Sequence, residues 1–188
     1  MRLVLASASP RRRKLLRAAG FVYAVRTSRA EPDPRRGESP VAYARRAARA
    51  KALDVAALQP RGTLVLGADT IVVCGARILG KPRESRDAAP MLRKLSGRTH
   101  RVITGVCLVR APREVVCVRH AVTRVRFRKL DEAEIRAYVR TREPLDKAGA
   151  YAIQERASTF VTRIEGCYFN VVGLPVALVA EMLKPFAI

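Results

Sequence analysis

The sequence predicts an α/β protein built on a mixed β-sheet, and three observations predict it. Short apolar runs alternate with helical segments in the order βαβαβ. Two long alternating segments then flank "APRE", the pattern of an antiparallel hairpin. Further helix and strand signals complete the chain, with no internal repeat, low-complexity tract or clean linker.

Each element has its local reason. "RLVLA" reads as a short buried strand, after which Ser9 caps a helix and Pro10 takes its first position. Leu15, Leu16 and Ala19 form that helix's apolar face, and Gly20 stops it. "FVYAVR" is predicted as a second strand, followed by the polar, Pro-rich loop "TSRAEPDPRRGESP". Ser39-Pro40 opens another helix, with Lys51 late in it. "TLVLGADTIVVCGARILGKP" contains two apolar runs, and Asp69 is expected at the carboxyl end of the first, where α/β sheets place their ligands. Ser85 is expected to cap the helix of "SRDAAPMLRKLSG", in which Pro90 is an awkward interior residue. "DEAEIRAYVRT" is a helix with an acidic first turn, "REPLDKAGAYAIQ" a loop, and "LPVALVAEMLKPF" a closing helix after a final strand.

The 188 residues suit one domain or two small lobes, and 49% of them are hydrophobic. The net charge of +21 is unusual and favours polyanionic partners, including nonspecific nucleic-acid binding. A general preference for arginine on polar surfaces would produce the same number. Cys74, Cys107, Cys117 and Cys167 lack paired spacing, and with only His100 and His120 a zinc site is not expected. No signal peptide or membrane span is read, so a soluble, cytoplasmic protein with reduced thiols is expected.

The chemistry concentrates in a few residues. "ASASPRRRKLL" joins serine hydroxyls, a helix N-terminus and arginines, which are the parts of an anion site. An N-cap followed by a solvated basic face would look the same. Lys81 lies in the turn "LGKP", and Glu31, Lys51 and Asp69 complete a set of cations and carboxylates. Such a set suits metal-assisted attack on a polyphosphate. Neither common glycine-rich phosphate loop occurs, and no Ser-His-Asp or Cys-His nucleophile arrangement is suggested. These residues point to phosphate handling without naming a substrate.

"LASASPRRRKLL", "GADTIVVCGARILGKP", "LSGRTHRVITGV", "EPLDKAGAYAIQ" and "GCYFNVVGLP" together resemble the Maf family, in order from Leu3 to Leu183. Its members are nucleoside triphosphate pyrophosphatases, historically named septum-formation inhibitors. The resemblance implies one Maf-like domain over residues 1–188, of two lobes around an elongated mixed sheet. That fold is shared with inosine triphosphate pyrophosphatases and has a nucleotide cleft between the lobes. A homodimer and a divalent metal, Mg²⁺ or Mn²⁺, are implied as well.

By the same resemblance Asp69 is the catalytic base, and Ser7, Arg12, Lys51 and Lys81 hold the triphosphate. Glu31 joins Asp69 as metal ligand, while Arg11, Thr70 and Gln154 sort substrates. "EPLDKAGAYAIQ" resembles the branch acting on dTTP and UTP rather than the one preferring 7-methyl-GTP. One departure stands out, because that branch carries glycine after the glutamine and this chain has Glu155. A positive φ there would strain a glutamate by about 1–2 kcal/mol. The rival reading is a non-catalytic nucleic-acid-binding regulator of division, against which the 5% aromatic content argues.

Overall fold

A computed structural model describes residues 1–187. The fold is mixed α/β with a seven-stranded mixed sheet. The strands are β1 (Leu3–Ala6), β2 (Ala24–Val25), β3 (Leu64–Cys74), β4 (Arg77–Leu79), β5 (Thr99–Arg110), β6 (Glu114–Phe127) and β7 (Val161–Glu165). Neighbours run β2-β1-β3-β5-β6-β7, with β4 on β3. The helices are α1 (Pro10–Ala18), α2 (Pro40–Ala56), α3 (Ser85–Leu95), α4 (Glu132–Arg140), α5 (Tyr168–Val172) and α6 (Val176–Leu183). The chain forms two compact units. The first takes Met1–Thr70, Thr104–Ala121 and the chain from Gly173 onward. The second takes Ile71–Ile103 and Val122–Val172.

In the first unit β1 pairs in parallel with β2 and β3, and its alternate residues feed two apolar layers. Leu3 and Leu5 join Leu16, Leu64, Leu66, Val106, Leu108 and the α6 residues Val179 and Leu183. Val4 and Ala6 join Val65, Cys107 and the α2 residues Ala48, Ala52 and Val55. One face of these strands therefore meets α1 and α6, and the other meets α2.

The α2 face is unusually close. A Cβ on Gly67 would collide with the Ala48 carbonyl and stand 2.7 Å from the Ala52 nitrogen. A Cβ on Gly105 would collide with the Ala44 carbonyl and stand 2.7 Å from the Arg45 nitrogen. With Ala44, Ala47, Ala48, Ala52 and Ala56 buried, small residues on both sides let the helix backbone approach the strands.

The second unit holds β4 against β3, β7 against β6, and the helices α3, α4 and α5. Its core centres on aromatic edge contacts. Phe127 meets His100 at 4.9 Å, Tyr151 at 4.8 Å and Phe160 at 5.9 Å between ring centroids, and Tyr138 meets Phe160 at 5.2 Å. Burial in this cluster holds the His100 pKa down at about 4.

Four sequence expectations need correction. The predicted strand "FVYAVR" shortens to Ala24–Val25 because the Phe21 amide turns back to donate to the Leu16 carbonyl at 3.1 Å. With Gly20 (φ 82°) donating to Arg17 at 3.0 Å, this closes α1 in a Schellman motif. Asp69 lies inside the continuous strand β3 rather than at its end. The cap of α3 is Glu84, one residue before Ser85, with the Asp87 carboxylate accepting from the amides of Arg83 and Glu84. Pro90 stays within that helix. Finally, the segment read as a loop from Arg142 to Gln154 contains two short 3₁₀ turns, a third follows at Arg156–Phe160, and helix α5 was not anticipated.

Candidate active site

The site in the first unit is assembled by three elements that converge on one dipeptide. Asp69 and Thr70 are consecutive in β3, so their side chains leave opposite faces of the strand. Asp69 shares the parity of Val65 and Gly67, which face α2. Thr70 shares that of Leu66 and Ala68, which face α1 and α6.

On the α2 face the Lys51 ammonium donates to Asp69 Oδ1 at 2.7 Å and lies 3.2 Å from Glu31 Oε1. The close approach of α2 at Gly67 is what brings Lys51 within this reach. Glu31 arrives on the Pro-rich loop, which is strapped to the same helix at two places. Asp54 accepts from the Ser28 hydroxyl at 2.7 Å and the Arg29 amide at 2.8 Å. Arg46 donates to both Glu38 oxygens, at 2.7 and 2.6 Å, and to the Asp33 carbonyl at 2.7 Å. That pairing pulls the Glu38 carboxyl down to a pKa of about 2. Tyr43 of α2 stands near the two carboxylates. Burial first, and then the charges of Asp69 and Glu31, raise its hydroxyl pKa.

On the opposite face is Arg12. Ser9 caps α1 by accepting from the Arg12 amide at 3.4 Å, which starts the helix two residues before this side chain. The guanidinium is buried, and its three hydrogen-bond acceptors are all neutral. Nε donates to the Gly173 carbonyl at 2.9 Å, Nη1 to Ser7 Oγ at 3.1 Å, and Nη2 to Thr70 Oγ1 at 3.0 Å. Burial lowers its pKa below the usual arginine value, and the charge of Asp69 opposes that shift. Three of five N–H donors are occupied, leaving one on each terminal nitrogen. A buried cation with neutral partners and spare donors is suited to an anion.

The structure thus brings together Ser7, Arg12, Glu31, Lys51, Asp69 and Thr70. Arg11 is half-buried on α1 beside Arg12. Lys81 and Gln154 belong to the second unit, both exposed, Lys81 just after β4 and Gln154 just before Glu155. Tyr43, Thr104 and the Gly173 carbonyl were not singled out from sequence. Of these, Thr104 and Gly173 stood in recognised blocks, "LSGRTHRVITGV" and "GCYFNVVGLP", but neither was given a role. Carboxylate oxygens are hard donors that fit Mg²⁺ or Mn²⁺, and Glu31 and Asp69 converge on the same ammonium. No set of three or more His, Cys, Asp or Glu able to hold a metal occurs among the described residues. Two carboxylates with substrate phosphates completing the shell is the usual way Mg²⁺ is bound. Among the described residues no helix is long and apolar enough to cross a membrane.

Residues 2–186 match the family described as Maf-like protein. The dTTP/UTP pyrophosphatase of Moorella thermoacetica is 54% identical over 100% of this chain and 96% of its own length. That of Koribacter versatilis is 51% identical over 98% and 94%, and that of Pelotomaculum thermopropionicum 49% over 98% and 96%. Among solved structures, the nucleoside-triphosphatase (dITP/XTP pyrophosphatase) of Mycobacterium abscessus aligns with a TM-score of 0.40. It has 16% identity over 69% of this chain and 76% of its own.

Proposed function

Since this chain belongs to the Maf-like protein family, we propose that it hydrolyses dTTP and UTP to the nucleoside monophosphate and diphosphate. The substrate pair comes from the names of relatives about half identical over nearly full length. The observation that carries the chemistry is the buried Arg12, which has neutral partners and stands near the Lys51–Asp69 pair.

In this reading Asp69 removes a proton from the water that attacks the α-phosphorus, and the α–β bridging oxygen leaves with the diphosphate. Arg12 and Lys51 offset the charge that grows on the departing group, with Lys81 contributing from its own unit. Ser7 orients Arg12 through Nη1. A divalent metal held by Glu31 and Asp69 would neutralise phosphate charge and make water more acidic. Gln154 reads the base by hydrogen bonds, with Thr70 and Arg11 biasing the choice. Residues 1–188 act as one Maf-like domain, as a homodimer in the cytoplasm.

The test is diphosphate release from UTP, dTTP, CTP, GTP and 7-methyl-GTP, with Mg²⁺, Mn²⁺ or chelator. Release from UTP and dTTP well above the others, abolished by chelator, is expected. Preference for 7-methyl-GTP would move the chain to the other branch, and release from none would end the reading.

A further inference from the structure

We propose that Thr104 is a positioning residue that fixes Arg12 through Thr70, and so sets the enzyme's grip on polyphosphate. This rests on the reading of Arg12 as a phosphate ligand. Thr104 sits in β5 at zero exposure, between Ile103 and Gly105 in the buried run from Val102 to Val109, where it is the one polar side chain. A valine would fit the same space without a hydroxyl to bury, and burying an unsatisfied hydroxyl costs stability. The hydroxyl therefore has a task, and Thr70 Oγ1 at 2.9 Å is one of the groups it serves.

Counting protons shows what that task is. Arg12 Nη2 can only donate, so Thr70 Oγ1 accepts from it at 3.0 Å. Thr70 has a single proton to give. It goes to the Gly173 carbonyl, 3.2 Å away, with Thr104 then donating to Thr70, or it goes to Thr104 itself, and in both arrangements the two threonine hydroxyls stay bonded. Gly173 O also accepts from Arg12 Nε. The guanidinium is therefore held at Nε and Nη2 by two acceptors that lie 3.2 Å apart, and Thr104 bonds one of them from β5. Gly173 has a φ of 133°, a conformation that favours glycine and aims this carbonyl inward. Removing the Thr104 hydroxyl takes away one of the three contacts that fix Thr70 Oγ1 and so loosens Nη2, the terminal nitrogen whose second N–H remains for a ligand. Thr104 itself reaches Arg12 only through Thr70.

The experiment compares Thr104→Val, Thr104→Ser, Arg12→Lys and Thr104→Val/Arg12→Lys. Thr104→Val is expected to raise KM for UTP about tenfold, the size of one charge-assisted hydrogen bond, with kcat within about threefold. Thr104→Ser restores KM to within about twofold. In the Arg12→Lys background the valine adds less than twofold, because the group it positions is gone. Independently of turnover, the ¹H–¹⁵N signal of Arg12 Nε, identified by its loss in Arg12→Lys, should shift in Thr104→Val and return in Thr104→Ser.

Unchanged KM in Thr104→Val, or the same tenfold effect with and without Arg12, overturns the proposal while UTP hydrolysis by the parent stands. If the parent releases no diphosphate, the functional reading has failed and the nitrogen signal decides alone. An unshifted signal overturns the positioning role, and a shifted one supports it.

Discussion

The Arg12–Lys51–Asp69 neighbourhood of the first unit and the segment from Arg142 to Phe160 of the second are organised on opposite principles. In the first, side chains are carried by a strand and two helices, and each polar group has a defined partner. In the second, position is set by backbone. Arg142 (φ 60°), Gly149 (φ 70°), Ala150 (φ 60°) and Glu155 (φ 71°, ψ −151°) all turn left-handed within fourteen residues. Glu155 occupies a region of backbone space that is close to glycine's alone. Its carbonyl accepts from the Ser158 amide at 3.1 Å and the Ser158 hydroxyl at 2.6 Å, which fastens the turn without relieving it. Chemistry tuned by side chains tolerates a relaxed backbone, whereas the exposed Gln154 depends on a strained one.

The largest expected effect breaks the first region. Asp69→Asn keeps the shape of the carboxylate but cannot take a proton, so kcat for UTP should fall at least ~10²-fold. Lys51 loses the nearer of its two charge partners in that variant and keeps Glu31, so circular dichroism and a melting curve should accompany the assay. Near-normal turnover in a folded variant would remove Asp69 from the reaction.

The second prediction sharpens the contrast through pH. His100 shares a hydrogen with the Tyr151 hydroxyl at 2.7 Å, and burial lowers its pKa from 6.5 to about 4. Folding therefore favours the neutral ring. The native form is undisturbed above pH 6.5 and loses ground as pH falls from 6.5 toward 4, where unfolded chains bind a proton that the folded one refuses. Between pH 7 and pH 5 this amounts to about 2 kcal/mol of unfolding free energy. Urea titrations of the parent and His100→Phe at both values should show a pH-dependent difference of that size. Equal pH dependence would take the ring out of the acid response.

The smallest effect concerns the strained turn. Glu155→Gly should raise stability by about 1–2 kcal/mol, less the entropy that glycine adds to the unfolded chain. It should also lower KM for UTP by withdrawing a carboxylate from beside Gln154. A denaturation midpoint at or below the parent's would show that the turn carries no strain, and a raised KM would show that the glutamate serves the site.

Much of the first region could be read in the chain itself, and for definite reasons. Ser9-Pro10 and Ser39-Pro40 announce helix starts by local chemistry, and both caps form, at 3.4 Å for Ser9 and 3.2 Å for Ser39. The meeting of Lys51, Glu31 and Asp69 could not come from local pattern, since it needs a helix, a loop and a strand to converge. Family resemblance nominated those residues, and the geometry brings them together. Thr104 escaped notice because a threonine among valines and isoleucines looks like any strand former. Asp69 was expected to end its strand because a carboxylate after an apolar run resembles a turn. Eleven residues of unbroken β3 absorb it because Lys51 satisfies the charge.

Gly67 and Gly105 give the first region its mechanical tolerance. Lys51 meets Asp69 at 2.7 Å, and that distance is calibrated by a helix resting on two bare α-carbons. One added methyl group would lift the helix like a shim under a beam, and the lysine, fixed to the lifted part, would rise with it. Alleles could then abolish the reaction from beneath the helix without altering any residue that meets the nucleotide.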